Sequence, residues 1–167
     1  MLSTFDGTTD GSISTNSMGA FYLPVSDGQY TITPQPENPS YWNFTPNNIT
    51  VDFPNQSSPA QQDFCVTANG LVEDLEVFVI PLTQARPGFE SQYKVLVKNK
   101  GNQIAGGSVD LVFQNDFMSL ISTTPSVTSS TTNRLSWDFT SLAPFQTQEF
   151  TVLMLLHTPT ASVNPLM

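Results

Sequence analysis

Few side chains in this 167-residue sequence carry reactive chemistry, and those that do are scattered. There is one cysteine, Cys65, and one histidine, His157. A nucleophilic triad needs a nucleophile, a base and an orienting acid, and His157 ends an apolar stretch with no serine elbow or acidic partner at a recognisable spacing. Cys65 lies between Phe64 and Val66 with no cationic neighbour to lower its pKa, so it reads as a small buried hydrophobe rather than a reactive thiol. One Cys and one His cannot build a zinc site by themselves, and a lone Cys forms no internal disulfide. Glu73 with Asp74, or Asp63 with Glu76, offer the two carboxyl groups that glycosidic acid-base chemistry requires, but the same residues read as solvated strand ends. Asp6, Asp10 and Asp27 sit in Gly-bearing turns whose oxygens could hold calcium, although Asp6 to Gly11 lacks the Glu that closes a full calcium loop. Tyr41, Trp42 and Phe44 offer either an aromatic platform for a sugar ring or partner, or a cap over the open end of a small sandwich.

The elements that must carry these residues are strands. Tyr93-Val95-Val97, Val109-Leu111-Phe113, Leu135-Trp137-Phe139 and Phe150-Val152-Met154-Leu156 alternate apolar with polar residues at period 2, and Pro, Gly and Asn turns separate them. That spacing predicts an all-β chain of antiparallel sandwiches with almost no helix. In the first part, strands are expected at Gly11 to Ser14, Ala20 to Val25, Gln29 to Pro34 and Thr50 to Phe53. Asp27-Gly28 is expected to close a hairpin, and a Pro-rich connection to run through Tyr41, Trp42 and Phe44. In the second part, strands are expected at Leu75 to Ile80, Gln92 to Lys98, Ser108 to Gln114, Met118 to Ser122, Arg134 to Thr140 and Glu149 to His157. The near-continuous apolar run of Leu75 to Ile80 predicts burial on both faces. Ser122 to Asn133 is too polar for a core and reads as an exposed connection. Trp137, between Leu135 and Phe139, is expected in the core.

Composition narrows the function classes. Five Lys or Arg stand against fourteen Asp or Glu, a formal charge of −9, so a phosphate backbone or an anionic membrane surface is repelled. The longest apolar stretch, Phe150 to Leu156, is far shorter than the ~20 residues of a spanning helix, and no signal peptide is expected here. No membrane insertion and no nucleic-acid partner are expected.

Arg86-Pro87-Gly88, the strand running into Asn99-Lys100-Gly101, and the late Leu135-Ser136-Trp137 with Leu142-Ala143-Pro144 before Phe150-Val152 resemble an immunoglobulin-like conserved repeat domain of bacterial surface proteins. Phe21, Leu23, Val25, Asp27-Gly28 and Tyr30 to Thr33 look like a carboxypeptidase-regulatory-like or adhesin B-type domain, a small transthyretin-like sandwich. The tandem is similar to modules of large proteins exported by type IX secretion. The resemblance implies a first domain over 1–68, short of a strand or two at its start, a linker over 69–73, an immunoglobulin-like domain over 74–160 and a tail over 161–167. It implies an interior slice of a longer extracellular or cell-surface protein, with no enzymatic activity and no cofactor, calcium at the turn aspartates aside. Its partners would be neighbouring domains of the same chain, with adhesion to a surface glycan or protein a further role. The alternative is a carbohydrate- or protein-binding module using Tyr41, Trp42 and the Ser122 to Asn133 loop. A regulatory domain accompanying a zinc exopeptidase is a third reading, suggested by the first part alone.

Overall fold

A computed structural model describes the backbone of residues 2–5 and 10–159 and the side chains from Gly11 onward. Strand accounts for 52% of the chain and helix for 2%, all sheets are antiparallel and none closes into a barrel, so the fold is all-β and sandwich-like. The chain divides into two compact units, Met1–Val72 and Glu73–Met167.

In the first unit β1 (Leu2–Phe5), β2 (Asp10–Ile13), β3 (Gly28–Pro34) and β5 (Ile49–Phe53) form one sheet in the order β2-β1-β3-β5. A short 3-10 turn, Pro39–Tyr41, leads into β4 (Trp42–Thr45), which pairs with β6 (Cys65–Ala68) in a two-stranded sheet. The expected strand over Ala20 to Val25 and its hairpin do not form. β5 holds one edge of β3 over Gly28 to Ile32 and β1 the other over Thr31 to Pro34, and Pro24 in the expected strand lacks a ladder donor. Phe21 and Leu23 instead pack as irregular chain against the buried pair Ile32 and Val51, together with Tyr30, Phe53 and Phe64. The stretch expected as a Pro-rich connection contains β4, whose four residues are too few for a legible period.

The second unit holds β7 (Leu75–Pro81), β8 (Glu90–Asn99), β9 (Ala105–Val112), β10 (Met118–Thr124), β11 (Ser129–Thr131), β12 (Arg134–Leu142) and β13 (Thr147–Leu156). They form two sheets, β10-β13-β8-β7 and β11-β12-β9. Side chains alternate inward along β8, β12 and β13, and Val95, Val97, Leu135, Trp137, Phe139, Phe150, Val152 and Met154 make one core with Val109 and Leu142. The Trp137 ring lies 5.2 Å from that of Phe150, which sets β12 over β13, and the indole nitrogen donates to the Pro125 carbonyl at 3.2 Å. The fully buried Asn99 ties the ends of this unit together. Its amide nitrogen donates to the carbonyls of Gln103 at 2.7 Å and Leu142 at 2.8 Å, and its oxygen accepts from the Gly101 N–H at 3.0 Å. One side chain thus satisfies both the β8–β9 and the β12–β13 connections.

The expected burial of Leu75 to Ile80 on both faces fails. Val77 and Val79 sit directly across from Val97 and Val95 and share their inward face, yet the first two are 52% exposed and the last two 1%. Phe78 and Ile80, on the opposite face, are also exposed. A continuous apolar run therefore marks an edge strand that the facing sheet does not reach.

Candidate functional site

The clearest concavity belongs to the first unit. It is a cavity of about 540 Å³ whose lining includes Phe21, Tyr22, Tyr30 and Phe53 as rings and Asp27 and Gln56 as polar groups. Strand β3 supplies Tyr30, β5 supplies Phe53, and the irregular segment before β3 supplies Phe21, Tyr22 and Asp27. Gln56 is set by a turn at the end of β5, where its N–H donates to the Asp52 carbonyl at 2.7 Å and its side-chain oxygen accepts from the Asp52 N–H at 3.4 Å. The Asp52 carboxylate is engaged by Asn55 Nδ2 at 3.1 Å. Tyr22 is 76% exposed, so one aromatic face stands at the mouth while Ile32 and Val51 form the floor. A cavity of this size, with rings and a few polar groups, suits a small ring-bearing ligand.

The electrostatics narrow the choice. All five cations, Arg86, Lys94, Lys98, Lys100 and Arg134, belong to the second unit, so the first carries carboxylates and no Lys or Arg. The field at this cavity disfavours anionic ligands and favours neutral or cationic ones.

The residues singled out from sequence lie elsewhere. Trp42 and Phe44 alternate on the half-buried face of β4, outside the cluster around Ile32 and Val51, and Tyr41 closes the preceding 3-10 turn. Asn69 anchors this ribbon, its N–H donating to the Tyr41 carbonyl and its side-chain nitrogen to the Ser40 carbonyl, both at 2.9 Å. The Ser122 to Asn133 loop belongs to the other unit. It is largely exposed, although Val127 packs against the core and β11 forms within it. Asp6 lies outside the described residues, Asp10 is described only as the backbone opening β2, and Asp27 is exposed at the cavity rim. Among the described residues no three His, Cys, Asp or Glu side chains gather as metal ligands would.

Cys65 is exposed, against the expected burial. Its strand β6 pairs with β4 and is exposed at all four residues, so an apolar flank did not make it core. His157 is exposed too, and its Nδ1 lies 3.0 Å from the Asp116 carbonyl, a contact that orients the ring. Sequence reasoning missed the cavity because Phe21, Tyr22 and Phe53 fall in stretches expected as ordinary strands, Ala20 to Val25 and Thr50 to Phe53. The single available signal was the density of Pro and Ser over Pro54 to Pro59, which marks a wall that makes no strand.

No family model matches this chain, and no curated protein or solved structure matches it.

Proposed function

We propose that this chain is a non-enzymatic structural segment of a secreted or cell-surface multidomain bacterial protein, which spaces and presents neighbouring domains and contributes to adhesion. The observation that carries the reading is the path of the chain through the second unit. Strands β7 and β13 both run antiparallel to β8, so they point the same way. Leu75 enters beside Asn99 at one end of β8 and Leu155 leaves beside Glu90 at the other. Entry and exit therefore lie at opposite poles, roughly 30 Å apart along the strands, the arrangement a tandem spacer needs. Each pole is fastened. At entry the Asp74 carbonyl accepts from the Lys100 N–H at 2.8 Å and the Gly101 N–H at 3.1 Å. At exit the Leu156 carbonyl accepts from the Gly88 N–H at 2.8 Å, and the His157 N–H donates to the Phe117 carbonyl at 2.8 Å. Gly88 is required in that clamp because its φ is +82° and a Cβ would come within 3.0 Å of Thr158.

Tension along the chain then loads the β7–β8 and β13–β8 ladders in shear, with all their hydrogen bonds sharing the load. Force spectroscopy on the full chain tests this. Pulled through its two ends, the second unit is expected to open in one step that releases about 25 nm of chain, at a higher force than when it is pulled from two handles at the same pole. Equal forces in the two geometries would remove the support for a spacer.

The cavity in the first unit favours a second reading, recognition of a neutral glycan. A glycan array with the full chain separates it from the first: binding lost in Tyr22→Ala with an unchanged melt supports recognition through the cavity, loss in Trp42→Ala places it on the β4 ribbon, and a silent array excludes it.

A further inference from the structure

The inner face of the four-stranded sheet passes from sealed to open within one strand spacing. Val95 and Val97 on β8 are covered by the facing sheet, while their cross-strand neighbours Val79 and Val77, with Leu75, are not. The facing sheet ends at β9, which lies over β8 because only five residues join them, and no strand lies beyond it among the described residues. The unit therefore ends in a step. An upper strand, β7, overhangs by one position, and the lower sheet stops one strand short. The outer edges of β7 and β9 make no ladder among the described residues.

This edge is only lightly guarded against pairing, by Glu76 near its start and Pro81 at its end. The opposite edge strand, β10, is broken by a register shift between Leu120 and Ser122, whereas β7 runs seven residues in unbroken register. The one charge on β7, Glu76, lies 3.4 Å from Lys100, and the one charge on β9, Asp110, is bonded to Arg134. The step is thus locally neutral in a chain of formal charge −9.

We infer that a second copy of this chain docks on the step as a lap joint, with β7 of each copy adding to the β9 edge of the other. A two-fold axis along the strands brings this about. It places the overhanging β7 of one copy in the position missing beside β9 of its partner, and lays the two inward faces of Leu75, Val77 and Val79 against each other. Both open edges and the uncovered apolar face are satisfied by the same operation, as an isologous interface requires. Simple edge pairing of β7 with its own copy does less, since it leaves β9 and the inward valines open. Two lapped strands per copy cover roughly 700 Å², close to the ~800 Å² per partner of stable interfaces. The interaction goes beyond the spacing role and does not depend on it, because a monomeric spacer has the same poles.

Sedimentation equilibrium of the full chain, with residue-resolved amide exchange at low and high concentration, tests the lap joint. The expected result is a reversible dimer with a dissociation constant on the order of 100 µM or below, in which the outward amides of both β7 and β9 slow at least about tenfold. Val79→Lys, at a half-exposed position that tolerates the charge, is expected to weaken the dimer at least about tenfold with an unchanged circular-dichroism spectrum. A chain still monomeric at about 500 µM overturns the proposal. So does a dimer that slows β7 alone, which is plain edge pairing, or one untouched by Val79→Lys. Slow exchange at β7 that is independent of concentration also overturns it, since the strand would then be covered within one copy. A flat result here leaves the force measurement on the spacer to stand or fall by itself.

Discussion

Trp137 concentrates more of the second core than any other side chain. It is 1% exposed, stacks obliquely on Phe150 and spends its single donor on the Pro125 carbonyl, so no polar atom is stranded by its burial. Replacing it with Ala leaves a large void between β12 and β13, which neither strand can close without breaking its ladder. Trp137→Ala is expected to cost ~3 to 5 kcal/mol in a urea melt, and a loss under half the lower figure would mean that the ring is not central to the core. Its place was legible because Leu135, Trp137 and Phe139 alternate with Ser136 and Asp138, and only one face of such a strand can be wet. Cys65 shows the limit of that logic. An apolar neighbour on each side looks the same in a buried strand and in an open two-stranded ribbon, and what decides is whether anything packs on the ribbon.

Between elements, cross-strand pairs on the outer face fix the register of β9 on β12. Asp110 lies opposite Ser136 and accepts hydrogen bonds from Arg134 and Ser136, which hold its carboxyl below the usual carboxylate range, and Arg134 is raised in turn. Because the folded pKa is depressed, the pair's contribution is complete above the unfolded carboxylate value of about 3.9 and is lost as pH falls through the lower folded value. The pair is exposed, so the effect on stability is small and best read at the carboxyl itself. In an NMR titration Asp110 is expected to have a midpoint below the ordinary carboxylate range and to move up in Arg134→Gln; an unmoved midpoint would deny the bond. At this scale the long strands of the second unit were legible to within a few residues, since eight to ten residues give a period several repeats to declare itself. Ala20 to Val25 carried the same alternation and still makes no strand, because Pro24 interrupts its ladder donors and β1 already holds Thr31 to Pro34 of the edge it would pair with. Leu75 to Ile80 was legible as a strand and misplaced as to burial, for an all-apolar run has no period to tell a central strand from an uncovered edge.

Across the whole molecule the two units differ in how much they bury. Among the described residues the second has ten buried in its core cluster and the first has Ile32 and Val51, with a ring of half-buried residues around them. The first unit also carries its carboxylates without a Lys or Arg, while every Lys and Arg sits with the larger core. This contrast was not legible from composition, which averages the two halves, and the cavity was not legible because it depends on an irregular segment folding back over β3 and β5. The central claim is that the second unit is a sheet sandwich sealed by β8, β13 and β12, with β7 overhanging it as an uncovered edge strand. Residue-resolved amide exchange of the full chain at about 20 µM, dilute enough to keep copies apart, tests it most directly. Val95, Val97, Phe150 and Val152 are expected to exchange only through global opening, with the outward amides of β7 and the first unit exchanging orders of magnitude faster. Amides of β8 and β13 that exchange as fast as those of the 114–117 turn would contradict the account.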